Sequence, residues 1–365
     1  MKRAIALVAS LSASMLGVAE EDIPASPDAA ASAVIESAKQ TTPALQTKKT
    51  APKYPMTELR KGREAWVHVT YCIDETGAIQ NVSVLDSIGG KNFDKAAMKT
   101  VQSWKFEPAL RNGEPVWQSR NNILVTFAIE GDGKGASRKF IGRFRKLGEL
   151  IVEGQLVEAD ELFWKTYETF DLNLYELAKL WSQRVRYEAI TEDFLGLDMA
   201  LHRAGASGGE WIEKDDYTWI LNLRAQIELR IGKYDEARDS FEMLVEHTSV
   251  DAEEVQKLRP VFDRLDALIA SDEILEIKAE VRSRGECAYC NDSWDFTPVR
   301  NDFMLQNVSG NLTSIDMRCD NRRFESDVQE LVEWHIPDSW GKCHVQIYGE
   351  PGSTFDVMML PPGES

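Results

Sequence analysis

Between residues 65 and 130 the apolar and polar positions follow the period of a strand, then of a helix, then of a strand again. Val67, Val69, Tyr71 and Ile73 alternate with Trp66, His68, Thr70 and Cys72, the period-two pattern of a half-buried strand. Asp74-Glu75-Thr76-Gly77 supplies turn chemistry, with a glycine able to take positive φ, so Ile79 to Leu85 reads as the returning strand of a hairpin. From Asp94 to Trp104 the residues Ala97, Met98, Val101 and Trp104 fall on one helix face, and Pro108 ends that element. Ile123, Val125, Phe127 and Ile129 then alternate with Leu124, Thr126 and Ala128 in a last strand. With a short helix at the start, the order is helix, strand, strand, helix, strand: an α+β layer in which one helix covers a three-stranded sheet. Such a sheet has unpaired edges, and an unpaired edge is a template for an incoming extended peptide. Cys72 shares the parity of the polar side, so its thiol is expected to be accessible.

A glycine-rich break, Gly131 to Gly135, separates this domain from residues 137–284, which read as helix after helix. Gly154, Leu156, Ala159 and Phe163 recur as Gly232, Tyr234, Ala237 and Phe241: glycine, an apolar residue two on, alanine five on, phenylalanine nine on. This pattern resembles the turn and second helix of a tetratricopeptide repeat, although the spacing between the two copies is not a multiple of the repeat length. The region is read as a degenerate helical repeat of about three helix pairs, whose concave face would bind a partner, or as a plain helical spacer. Gly205-Ala206-Ser207-Gly208-Gly209 fits the nucleophile-elbow pattern, which needs a strand before it. Here it follows the helical run Met199 to Ala204, so it is read as a loop between helices.

From residue 285 to 365 the pattern returns to short alternating runs, as in Cys343, Val345 and Ile347 against His344 and Gln346. Turn residues recur at Ser309-Gly310-Asn311, Pro337-Asp338-Ser339 and Gly349 to Gly352, and the expectation is a small β-rich domain, a compact sandwich. Cys287, Cys290, Cys319 and Cys343 fall in it and read as two disulfides with three possible connectivities. A zinc site is the rival, weakened because Cys319 and Cys343 form no second close pair; a redox pair at Cys287 and Cys290 is another. His335 and His344 stand alone and are expected to hydrogen-bond within the fold.

The first domain carries a more specific signature. Tyr54-Pro55, Gly62-Arg63-Glu64-Ala65-Trp66-Val67, Asp74 to Gly77, Phe93-Asp94-Lys95-Ala96-Ala97, Trp104 to Ala109 and Asn112-Gly113 precede the last strand in order. The set resembles the C-terminal domain of the TonB energy-transducer family. The resemblance implies a β-β-α-β peptide-binding module of the Gram-negative envelope with no catalytic site, no cofactor and no metal. In that family the last strand pairs with a short segment of an outer-membrane receptor, and the Tyr-Pro entry adds contacts. By position this assigns partner binding to Tyr54, Pro55, Ile123, Leu124, Val125, Thr126, Phe127, Ala128 and Ile129.

The ends and the charge adjust this picture. Lys2-Arg3 before an apolar run from Ala4 to Ala19 has the layout of a cleaved signal peptide, residues 1–19, which places the protein in the periplasm. Residues 20–53, rich in Ala, Ser and Thr, read as a disordered linker. Family transducers resemble one another in a retained anchor with a functional histidine and a longer proline-rich linker, and the first histidine here is His68. Of the formal charge of −18, residues 48–130 hold 12 Lys/Arg against 9 Asp/Glu, and residues 131–365 hold 27 against 46. Such an acidic surface argues against nucleic acid and against broad binding to anionic lipid. The expected arrangement is multi-domain α+β: a TonB-like domain at 54–131, helices at 137–284 and the β-rich domain at 285–365. The expected function is a non-enzymatic periplasmic adaptor that captures an extended segment of an envelope protein, such as a TonB-dependent receptor, and so supports transport. The alternatives are an anchored energy transducer and a structural scaffold.

Overall fold

The computed structural model describes residues 41–129, 135–283, 292–329 and 331–362. The signal-peptide segment, residues 20–40 of the linker, Gly131 to Lys134, Cys287 and Cys290 lie outside the described residues. The chain divides into two compact units, Met1–Thr42 and Pro43–Ser365. The described part of the first is the two-residue strand Thr41–Thr42. All that follows concerns the second.

The first domain is built on strands β2 (Ala65–Ile73), β3 (Ile79–Ile88) and β7 (Gln118–Phe127), in the order β3-β2-β7, all antiparallel. At the β2–β3 turn the Asp74 carboxylate accepts the N–H groups of Thr76 (2.9 Å) and Ala78 (3.0 Å). Gly77 follows at φ +78°, and a Cβ there would stand 2.0 Å from the Phe106 carbonyl oxygen, so only glycine fits. Helix α2 (Lys91–Gln102) lays Phe93, Ala97 and Val101 on Val67, Val69, Tyr71, Val125 and Phe127. This is the helix-on-sheet layer that the periodicity predicts. A short helix, α1 (Met56–Leu59), precedes it, and two small pairs flank it: β1 (Leu45–Lys48) with β4 (Lys105–Glu107), and β5 (Ala109–Arg111) with β6 (Glu114–Val116). Residues 45–48, read from sequence as linker, are thus a paired strand. The Trp104 indole also donates to the Thr50 carbonyl (3.0 Å) and ties the same stretch down.

Seven helices follow: α3 (Arg138–Val152), α4 (Leu156–Thr169), α5 (Leu174–Thr191), α6 (Phe194–Ala204), α7 (Lys214–Arg230), α8 (Tyr234–His247) and α9 (Glu253–Ile269). The two sequence copies have matching geometry. Gly154 and Gly232 take φ +73° and +79° in the α3–α4 and α7–α8 turns. The residues after them, Gln155 and Lys233, have nearly identical dihedrals (φ −82°, ψ 67° and 66°). Ala159 and Ala237 are wholly buried, with Phe163 and Phe241 buried one turn on. The Gly205–Gly209 segment forms a 3-10 turn after α6, so no strand precedes Ser207.

The last domain is two four-stranded sheets. One runs β9 (Ser293–Phe296), β14 (Cys343–Gly349), β11 (Leu312–Cys319), β12 (Arg323–Asp327); the other runs β13 (Glu333–His335), β10 (Asp302–Ser309), β15 (Thr354–Met359), β8 (Leu275–Glu280). Both contribute to one apolar core that includes Ile277, Phe296, Phe303, Ile315, Val345, Phe355 and Val357. The domain begins earlier than residue 285. Leu275, Ile277 and Ala279 point inward and β8 pairs with β15, which moves the boundary back to about the end of α9. Cys319 and Cys343 stand opposite each other on β11 and β14 and form a disulfide. That pairing removes both from any zinc set.

The most consequential contact is on the second face of the first sheet. Trp66 and Ile88 enter the core of the helical domain, with Leu124 packed beside them. Cys72, expected to be accessible, is wholly buried, and its thiol lies 3.7 Å from the Ser119 carbonyl. The alternation correctly separates the two faces, but it cannot say that a second layer covers the polar one. Burial pushes the Cys72 thiol up, which makes it a poor nucleophile.

Candidate functional site

Strand β7 has a hydrogen-bonded neighbour on one side only among the described strands, namely β2. Its register runs from Ala65 opposite Phe127 to Ile73 opposite Gln118. Val125 and Phe127 point into the core under α2, with Ile123 beside them, while Leu124 packs toward the helices. Their backbone groups, not their side chains, are what the edge can offer. One end is screened: Arg120 reaches Asp320 of the last domain at 3.5 Å. Beyond that end Asn122 is exposed, Ile123, Leu124 and Thr126 are half-buried, and Val125 and Phe127 are buried.

The predicted site residues separate into two groups. Ile123, Leu124, Val125, Thr126 and Phe127 share the edge strand. Ala128 and Ile129 lie past its end, and the Ile129 N–H donates to the Glu64 carboxylate at 2.5 Å. Tyr54 is a packing residue: its ring stands edge-on to Phe93 and Phe127, each at 5.7 Å, and its hydroxyl donates to the Arg63 carbonyl at 2.5 Å. Burial, together with Glu64 and Glu58, pushes the hydroxyl up to about 12, so it stays protonated. Pro55 is the N-cap of α1.

Three polar clamps, none of them apparent in the sequence, hold this domain to the others. Glu64 is buried; besides Ile129 it accepts the Leu174 N–H at the start of α5 (2.8 Å). Arg203 of α6 is fully buried and donates from Nε and Nη2 to the two oxygens of Asp86 on β3 (3.0 and 2.7 Å), with its guanidinium 4.5 Å from the centre of the Trp181 ring. Arg318 of β11 donates to the Asn81 carbonyl (3.1 Å), Ser83 Oγ (3.2 Å) and Thr70 Oγ1 (3.4 Å). Buried polar groups demand partners, and here the partners are on other domains. No local sequence pattern encodes such a pairing.

Asp198, His202 and Glu228 bring three ligand-type atoms within 4.8 Å of one another. Lys233 reaches Asp198 at 3.3 Å and Arg224 reaches Glu228 at 3.4 Å, so cations of the chain already neutralise the carboxylates. Burial opposes charge on Asp198, yet Lys233 and His202 hold it well below the usual carboxylate range. Burial and Arg224 work to lower His202, but Asp198 and Glu228 raise it on balance. The cluster is an internal ion-pair network and not a vacant metal cage. His335 pairs with Asp302 at 2.5 Å, within the fold as expected.

Comparison with known proteins finds its sequence matches in the first domain. Residues 50–129 match the family described as Gram-negative bacterial TonB protein C-terminal. Protein TonB of Vibrio cholerae is 32% identical over 89 residues, which are 24% of this chain and 36% of that protein. Protein TonB of Xanthomonas campestris pv. campestris is 35% identical over 78 residues, 21% of this chain and 34% of that protein. The solution NMR structure of the Pseudomonas aeruginosa TonB CTD is 26% identical, covers 25% of this chain and 92% of that chain, and superposes with a TM-score of 0.23. The chain thus spans about a third of the length of these two curated relatives. Over residues 50–129, this chain carries a domain of the TonB C-terminal family.

Proposed function

We propose that the protein is a TonB-like envelope protein that supports receptor-mediated uptake by capturing an extended segment of an outer-membrane receptor on β7. The observation that carries the reading is that β7 is paired on one side only among the described strands and is exposed at Asn122. Alternate N–H and C=O groups of such a strand point away from the sheet and can pair with an added strand. The helices behind the sheet supply a second surface, read as tetratricopeptide-like from the two matching glycine turns. An energy transducer is the reading in which the same capture also carries force, and it requires residues 1–19 to be retained as an anchor. Among the described residues no helix is long and apolar enough to cross a membrane.

A proline scan tests the capture. Proline is placed in turn at each position from Asn122 to Thr126 of the full chain, and fold is followed by circular dichroism. Binding is measured to synthetic peptides from the periplasmic segments of the host's outer-membrane receptors. Positions whose N–H points to β2 should lose fold, and the alternate positions should keep fold and lose binding. Folded variants that bind all peptides as tightly as the parent would remove strand addition from consideration.

A further inference from the structure

In a chain whose formal charge is −18, residues 48–107 expose nine Lys and Arg side chains but only two acids, Glu75 and Glu107. Three of the nine, Lys91, Lys95 and Lys99, stand exposed one turn apart along α2, and none has an ion-pair partner among the described residues. Like charges at that spacing destabilise a helix, so the fold of α2 gives no reason for them. The row is extended at both ends. At the C-terminal end Thr50 Oγ1 lies 2.6 Å from Ser103 Oγ, Lys49 stands over the Trp104 ring at 5.6 Å, and Lys48 is opposite Lys105 in the β1–β4 pair. At the N-terminal end Asn92 Nδ2 donates to Glu58 Oε1 (2.6 Å) and fastens α1, which is followed by the exposed Arg60 and Lys61. Two large apolar side chains interrupt this basic rim: Leu45 is 62% exposed and Met56 58%. The sheet separates α2 from the helical domain, so the face looks away from residues 131–365, which hold 27 Lys/Arg against 46 Asp/Glu. A sheet layer is about 10 Å thick, beyond the Debye length of about 8 Å, so the acidic domains are largely screened from it.

We infer that this face of the TonB-like domain docks on the anionic surface of a phospholipid bilayer, with its lysines among the headgroup phosphates and Leu45 and Met56 at the acyl boundary. Eight of the nine cations are lysine. A lysine ammonium is a hydrated point charge suited to a diffuse layer of charge, whereas arginine is the side chain that grips a single phosphate or carboxylate in register. Protruding apolar side chains beside the cations also fit an interface, since their burial is favourable only where water gives way to acyl chains. Net charge argues against lipid contact over the molecule as a whole, and this face is the local exception. Capture on β7 depends on backbone groups of that strand, so the inference goes beyond the proposed function and does not depend on it.

The test is the partition of the full chain, by co-sedimentation, onto vesicles of phosphatidylcholine alone and with about 30% phosphatidylglycerol, at about 50 mM salt. The ratio of the two partition coefficients cancels what the apolar run at residues 4–19 adds to both. The parent should favour the anionic vesicles at least a hundredfold, and the ratio should fall toward one as salt is raised. Lys91→Gln, Lys95→Gln and Lys99→Gln together, all at exposed positions, should keep the fold and lower that ratio about a hundredfold. Leu45→Ser with Met56→Ser should weaken binding to the anionic vesicles about tenfold. A ratio near one for the parent, or a folded triple variant with the parent's ratio, would each overturn the inference. So would a lipid-free parent that sedimentation velocity shows as a dimer and the triple variant as a monomer, since the face would then meet the acidic side of a second copy. None of these results alters the proline scan, so failure here leaves the edge-strand reading standing.

Discussion

Replacing Asp86 with alanine should weaken the attachment of the TonB-like domain to the helices, and the size of the effect follows from burial. Arg203 is 0% exposed at its side chain and Asp86 13%, so the pair has little access to solvent. The two hydrogen bonds, at 2.7 and 3.0 Å, meet both carboxylate oxygens. Removing one member of a buried pair leaves a desolvated charge and costs about 3–5 kcal/mol. The Trp181 face under the guanidinium offsets part of this, on the order of 2 kcal/mol when desolvated. A net loss of about 1–3 kcal/mol is therefore expected. Urea unfolding followed by tryptophan fluorescence reads it directly, since Trp66 and Trp181 flank the junction. With a slope of about 3 kcal/mol per molar, the first transition should move down by about 0.3–1 M urea. Arg203→Met combined with Asp86→Ala removes the buried guanidinium as well as its carboxylate and should recover most of the loss. A shift under about 0.2 M for the single variant, or a double variant no more stable than the single, would refute the reasoning.

Other outcomes follow from the same geometry. Gly154→Ala meets no atom within 4 Å and should cost only the strain of positive φ, about 1 kcal/mol, whereas at Gly232 a Cβ would stand 2.6 Å from Ile277 side-chain atoms. Gly232→Ala should thus cost clearly more in thermal or urea unfolding, and equal losses would contradict the packing of the α7–α8 turn on β8. Cys72 should react with a thiol reagent only after urea is added, because burial both covers and neutralises it. Glu236, whose folded pKa of about 7 lies above its ordinary 4.5, binds more protons folded than unfolded between those values. Its contribution to stability should be full below about pH 4.5 and lost as pH rises to about 7, by at most ~3 kcal/mol. Glu236→Gln should flatten that slope, and an unchanged pH profile would count against the buried carboxyl. Reducing the Cys319–Cys343 disulfide, or replacing both residues with serine, should lower the stability of the last domain by about 3 kcal/mol, read by differential calorimetry.

Several features were legible in the chain itself. The period-two run from Trp66 to Ile73, the Asp74–Gly77 turn and the helix face at Ala97 and Val101 specify a helix on a hairpin, because one side of each element must leave water. The glycine spacing marks two turns that adopt the same dihedrals. Other features were present but easily passed over. Leu275, Ile277 and Ala279 alternate as clearly as any strand, yet they directly follow the helical run and read as its end. Residues 45–48 look like linker because their pairing partner, β4, lies some 60 residues away in sequence.

What only the tertiary structure decided is which surfaces remain available. Sequence period separates the two faces of a strand, but the partner of each face is set by elements more than a hundred residues apart. Cys72 and the clamps of Glu64, Arg203 and Arg318 depend on that assembly. So does the outward turn of α2, away from the acidic domains. Local pattern determined the elements, since hydrophobic burial and backbone sterics act over a few residues. Long-range packing and the need to satisfy buried charge determined the sites.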